Sequence, residues 1–179
     1  GIVTIPFVFE GRKKIIQDLK GVQNIARSVD ALLVINNERL IDIYADLTIP
    51  NAFAKADDTL AIAAKGIAEI ITVHGHINLD FADVKTILKD GGVAIMSSGY
   101  GEGENRVEDA IRNALHSPLL NNNDVFDAKT ILFNIYSGEA TPLIVEEMEA
   151  VASFMKRFGP EIEVIWGTAT EKNLGEKVK

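Results

Sequence analysis

Ala31-Leu32-Leu33-Val34-Ile35-Asn36-Asn37 is a short, unbroken apolar run closed by two asparagines. A strand with one wet face alternates apolar and polar residues, so a run without alternation predicts a strand covered on both faces, as in a parallel sheet between helices. Upstream, Ile2-Val3-Thr4-Ile5-Pro6-Phe7-Val8-Phe9 is rich in β-branched and aromatic residues and reads as a strand. Pro6, which lacks an N–H, confines the second half of that strand to an edge or an end. Between the two strands, Ile15, Ile16, Leu19, Val22, Ile25, Ala26 and Val29 recur at helical spacing. Downstream, 38–45 reads as a short helix, so two strand–helix units precede residue 50.

The longest periodic segment runs from Pro50 or Asn51 to about Val73, with Phe53, Leu60, Ala63, Ala64, Ile67, Ile70 and Ile71 on one side. At about 1.5 Å per residue it covers roughly 34 Å, the width of a small domain. Gly75 marks its end; a polar loop and a second helix near Phe81 follow. The remainder alternates again: a strand at 93–98, a glycine loop, a helix at 104–115, a strand at 130–136, a helix at 145–158 and a strand at 161–167. The class is α/β. The division expected is 1–73, ending with the long helix, and 74–179. The last nine residues, 171–179, are polar and end on the alternation of a strand's first residues.

Composition excludes several functions. With 18 Lys and Arg against 26 Asp and Glu the net charge is −8, which repels nucleic acid. Hydrophobic residues make up 47% of the chain, enough for a core, so general disorder is excluded. There is no cysteine, hence no disulfide, thiolate nucleophile or sulfur metal ligand, and a cytoplasmic setting is expected. The most apolar stretch, 60–73, is interrupted by Lys65 and Glu69 and is too short to span a bilayer, so no direct membrane insertion is expected. The chain opens Gly1-Ile2-Val3 without an initiating Met and is expected to be a piece of something longer.

The densest polar cluster is His74-Gly75-His76-Ile77-Asn78-Leu79-Asp80-Phe81-Ala82-Asp83. Asp80 sits where an N-cap sits and Asp83 lies in the first turn, which is the pattern of a capped helix start. The same two carboxylates and an amide also suit a water held for attack on phosphorus. A third reading takes His74, His76 and the aspartates as the metal site of a small hydrolase, although the spacing is no recognised signature. Gly99-Tyr100-Gly101-Glu102-Gly103 resembles a phosphate loop only at first sight. Glu102 and Glu104 would repel phosphate and no Lys-Ser or Lys-Thr follows, so a strand-to-helix turn is expected. Arg12-Lys13-Lys14 reads as a solvated helix start or a phosphate contact.

Taken together, several segments resemble the FtsZ family of bacterial tubulin-like cell-division GTPases. They are Thr4-Ile5-Pro6-Phe7, Phe9-Glu10-Gly11-Arg12-Lys13, Ala52-Phe53 with Asp58, Gly66-Ile67-Ala68-Glu69-Ile70-Ile71 and, above all, Asn78-Leu79-Asp80-Phe81-Ala82-Asp83-Val84. Ser117-Pro118-Leu119-Leu120 and Phe133-Asn134-Ile135 fall where the family has similar segments. The resemblance implies a truncated tubulin-like GTPase fold: the end of the nucleotide-binding subdomain, the central helix, and a C-terminal subdomain lacking its last strand. It further implies GTP or GDP with Mg2+ as ligands and head-to-tail assembly with other copies. Membrane-tethering division proteins would be recruited through a tail absent here, and the implied location is the cytoplasm at the division site.

In that family the loop after the central helix completes the GTP site of the next protomer. The resemblance therefore gives Asp80 and Asp83 the attacking water and its cation, and Asn78 the phosphates or the loop. It gives Glu10 the ribose, Lys14 a ribose or phosphate contact where the family commonly has Arg, Phe53 the stacking face for guanine, Asp58 the guanine N1–H and amine, and Asn37 the base edge. No resident metal ligand is assigned. Without a phosphate-binding loop, these residues alone are expected to be inactive, and a role as a non-enzymatic module that caps filaments is the competing reading. Exposed strand edges are expected to make the isolated chain associate; a monodisperse monomer in size-exclusion chromatography contradicts that.

Overall fold

The computed structural model describes residues 1–44, 46–73, 75–77, 79–117, 120 and 125–179, and the side chains of Ile43 and His76 are not described. Two compact units emerge, one of residues 1–69 with 88–96, the other of 70–87 with 97–179.

In the first unit, strand β1 (Ile2–Ile5), helix α1 (Arg12–Ala26), strand β2 (Ala31–Asn36), helix α2 (Glu38–Ile43) and the long helix α3 (Ile49–Thr72, which ends in the second unit) follow in order. β1 and β2 pair in parallel from Ile2 opposite Leu33 to Ile5 opposite Asn36. Leu32, Leu33 and Ile35 are buried, as an unalternated run requires of a central strand. β1 stops before Pro6, shorter than the sequence suggests, because Pro6 has no N–H for the ladder. A single 3-10 turn (Val8–Glu10) then leads through Gly11 at φ 102°, a conformation glycine adopts without penalty, into α1. α3 starts one residue before Pro50, a proline placement the first turn tolerates, and Thr48 accepts from the Ala52 N–H.

The third strand of this sheet differs from expectation. Strand β4 (Gly92–Ala94) pairs in parallel with β2, Ala31 opposite Gly92, giving the order β1-β2-β4. It is reached from helix α4 (Phe81–Leu88) by a turn in which Asp90 takes φ 56° and the Gly92 N–H donates to the Asp30 carbonyl. A single cut after residue 73 would have assigned 88–96 to the second unit; the pairing with β2 returns them to the first.

In the second unit, strand β5 (Thr130–Ser137) and strand β6 (Glu163–Thr170) run parallel in continuous register from Thr130 opposite Glu163 to Ser137 opposite Thr170. Strand β3 (Gly75–Ile77), expected as loop, adds antiparallel to β6 with an irregularity in its register. Helix α5 (Arg106–Leu115) and helix α6 (Met148–Met155) close the core, in which Val107, Ala110, Ile135, Val151 and Val178 are buried together. Val178 forms bridges on both sides, to Gly101 and to Ser137.

One side chain ties this unit together. Arg106 is buried and donates five hydrogen bonds, its full complement: Nε and Nη2 to the two Glu147 carboxylate oxygens, Nη1 to the carbonyls of Thr141 and Glu176 at 3.0 Å, and Nη2 to that of Pro142 at 3.0 Å. Hydrogen bonding to Arg106 holds the Glu147 carboxyl below the usual carboxylate range. Among the described residues no helix is long and apolar enough to cross a membrane.

Arg106→Met is expected to cost about 3–5 kcal/mol in denaturant unfolding, because it strands a carboxylate and three carbonyls together. Since the folded pKa of Glu147 is depressed, its contribution is present above the unfolded value near 4.5 and is lost as pH falls through the lower folded value. Melting followed between about pH 5 and pH 3 should show a shallower acid loss in Glu147→Gln than in the parent chain.

Candidate nucleotide and hydrolysis sites

A cavity of about 200 Å³ opens in the first unit where β1 ends and α1, α2 and α3 begin. Its aromatic wall follows from the broken strand. Phe7 is fully buried and stacks on Phe9 with ring centres 4.8 Å apart, while Phe53 meets both rings edge-on at 5.4 and 5.9 Å. Phe53 lines the cavity and remains 39% exposed, so an aromatic surface stays available to a planar ligand.

The polar wall is Thr4, Glu10, Lys14, Asp18, Asn37 and Asp57. Glu10 Oε1 accepts the Phe7 N–H at 2.9 Å and Oε2 pairs with the Lys14 ammonium one helical turn on. That hydrogen bond holds the Glu10 carboxyl below the usual carboxylate range and raises the Lys14 amine above its own. Asn37 is fixed by its N–H to the Ile5 carbonyl at 3.1 Å and by its carbonyl to the Leu40 N–H at 2.9 Å. Its side-chain oxygen is buried and accepts no hydrogen bond. A buried acceptor without a donor costs about 1–3 kcal/mol.

Four of the five side chains expected at a nucleotide, Glu10, Lys14, Asn37 and Phe53, thus line one cavity. Asp58 does not; its neighbour Asp57 does. The reason is helical geometry: four residues after Phe53 the chain has turned about 40° from it, five residues after about 140°. The i,i+4 spacing was the available signal.

The second cluster stands in the other unit. The Asp80 N–H donates to Asp83 Oδ2 and the Asp83 N–H to Asp80 Oδ1, each at 3.0 Å, a reciprocal capping box that starts α4. Each carboxylate spends one oxygen on the helix start, and Asp80 is exposed. The capped-helix reading therefore holds for these residues whatever else they do. Asn78 and His74 lie outside the described residues. Among the described residues no three His, Cys, Asp or Glu side chains gather as a metal site.

The glycine loop is a packing device. A methyl group on Gly99 would lie 2.2 Å from the Ala110 carbonyl oxygen, and one on Gly101 1.8 Å from that of Arg106, so both glycines let the chain lie flush on α5.

The fold is a tubulin-like α/β fold, shared at a TM-score of 0.71 and 11% identity with TubZ from Bacillus thuringiensis serovar israelensis, a structure of GDP-form protofilaments, across 99% of this chain and 52% of that one. A closer likeness, TM-score 0.88 at 37% identity, is to an empty FtsZ dimer from M. jannaschii, covering 99% of this chain and 51% of that one. Residues 92–179 match the model of the FtsZ family, C-terminal domain. The cell division protein FtsZ of Porphyromonas gingivalis is 59% identical over 179 residues, all of this chain and 39% of that protein. That of Wigglesworthia glossinidia brevipalpis is 37% identical over 180 residues, 99% of this chain and 46% of that protein. The chain belongs to the FtsZ family, and it spans less than half the length of these two relatives.

Asp80→Ala removes the cap at the head of α4 and is expected to lower stability by about 1 kcal/mol in chemical denaturation, with Asp80→Asn losing less because asparagine also caps.

Proposed function

We propose that this chain carries the base- and sugar-binding side of one GTP site and, in its other unit, the hydrolysis loop that completes the site of a neighbouring copy, within a filament-forming GTPase of bacterial cell division. The observation that supports this most is the gathering of Glu10, Lys14, Asn37 and Phe53 around one cavity. Guanine presents its edge to Asn37. Phe53 takes the base face, and Asp57 accepts from N1–H and the exocyclic amine. Adenine offers that carboxylate no matching donor pair, so the site prefers guanine. Glu10, kept ionised by Lys14, has lone pairs left for a ribose hydroxyl, and the Lys14 ammonium beside it contacts the ribose or a phosphate.

Asp80 and Asp83 act on the water. Each has one oxygen not used by the capping box, and two anionic acceptors held in one turn orient a water and draw on its proton as it attacks the γ-phosphorus. Asn78 contacts the phosphates. Phosphoryl transfer asks for placement and electrostatics rather than a covalent intermediate, which suits groups delivered from a second molecule. Magnesium finds no ready set of three carboxylate or imidazole ligands among the described residues of this chain. A head-to-tail contact that does not close gives an open filament. The setting is the cytoplasm at the division site, where membrane-tethering division proteins engage a tail outside these residues.

In the full-length protein, replacing Asp80 and Asp83 together by Asn should lower turnover by about 10²-fold or more and leave nucleotide affinity in place. Unchanged turnover sinks the hydrolytic role. Asp57→Ala should weaken GTP binding by about 10-fold or more and erode its preference over ATP, with Asp58→Ala close to the parent, in calorimetric titration; the reverse pattern would return the base contact to Asp58.

A further inference from the structure

Beneath the turn that holds Asp80 and Asp83 lies a polar atom with no role so far. Asn134 of β5 sits directly opposite Gly167 of β6, and its Oδ1 is buried without a hydrogen-bond partner. A methyl group on Gly167 would meet the Ile77 carbonyl oxygen at 2.7 Å, the Leu79 side chain at 2.9 Å and Asn134 Oδ1 at 3.0 Å. The bare glycine thus lets the Asn134 carboxamide, the Ile77 carbonyl and the Leu79 side chain converge on one spot. Leu79, the residue before Asp80, is itself buried there.

The Asn134 acceptor, buried without a donor, is costly. A carboxamide carries its own remedy: a half-turn about its last side-chain bond exchanges oxygen for nitrogen and presents an N–H to the Ile77 carbonyl. Aspartate, with acceptors only when ionised, and leucine, with neither, have no such remedy.

We propose that Asn134 is a positioning residue for hydrolysis: its carboxamide donates to the Ile77 carbonyl and fixes the backbone that sets Asp80 and Asp83 toward the neighbouring copy's triphosphate. This rests on the assignment of that aspartate pair to the attacking water. Asn134 touches neither nucleotide nor water; its effect passes through the Ile77 carbonyl and the buried Leu79 next to Asp80.

The test uses full-length protein carrying Asn134→Leu or Asn134→Asp, with turnover, GTP affinity, assembly and melting temperature measured, and turnover followed from pH 8 to pH 5. Misplacing a reacting group by a fraction of an ångström is expected to lower kcat of Asn134→Leu about tenfold or more, with GTP affinity and assembly retained. Asn134→Asp should be impaired at pH 8 and recover relative to the parent as pH falls, because the protonated carboxyl regains a donor. Parent-like kcat in Asn134→Leu, or an Asn134→Asp profile parallel to the parent's, overturns the proposal; if Asn134→Leu fails to fold, the Asn134→Asp profile decides alone. Variants of Asp80 and Asp83 run alongside separate the two failures. If they abolish turnover while the Asn134 variants do not, only the positioning role falls; if they too are silent, the hydrolytic assignment falls with it.

Discussion

A planar cation with every donor engaged governs the second unit. The guanidinium of Arg106 reaches carbonyls 35, 36 and 70 residues away and a carboxylate 41 residues away, so one side chain gathers the start of α5, the approach to α6 and the segment ending in Val178. Only when these strands of chain are held at that spacing can Val178 sit between Gly101 and Ser137 and complete the cluster with Val107, Ala110, Ile135 and Val151. A buried ion pair is not in itself a source of stability, since desolvation offsets much of the attraction. Its effect here is selective: alternative packings of those segments would leave a carboxylate and three carbonyls without donors.

The alternation of strands and helices was legible because it is written locally. The unbroken run from Ala31 to Ile35 became a central parallel strand, whereas the face expected of α3 is buried only at Ala63, with Ala56 and Thr59 buried beside it and Phe53 and Ala64 exposed. What escaped the sequence has length or distance as its cause. β3 is three residues long, too short for any period to show, and exists because Gly75 lets its backbone approach that of Thr168. β4 was expected as a strand, yet nothing near it announces that its partner is β2, some sixty residues earlier. Helix α6 begins at Met148 rather than at Val145, which is left 88% exposed.

The sites divide along the same line. Asp80 and Asp83, three apart ahead of an apolar stretch, announced a helix start from spacing alone, and the reciprocal bonds are there. Glu10, Lys14, Asn37 and Phe53 come from four separate elements, and only the likeness to a family proposed that they meet; the cavity wall brings them together. Within α3 the cavity wall holds Asp57 and not Asp58, since one position along a helix swings a side chain by about 100°. Asn134 gave no signal at all, since an amide in the middle of a strand declares itself only once its surroundings are known.

The reciprocal bonds at the head of α4 make architecture and reactivity inseparable. The carboxylates proposed to serve a neighbour's nucleotide are pointed by the very amides they cap, so their free oxygens share a defined direction only after the helix has begun. A copy that has not wound this turn has nothing to offer the next molecule, and fuel consumption along a polymer would be reserved, without any separate inspector, for subunits already in native shape.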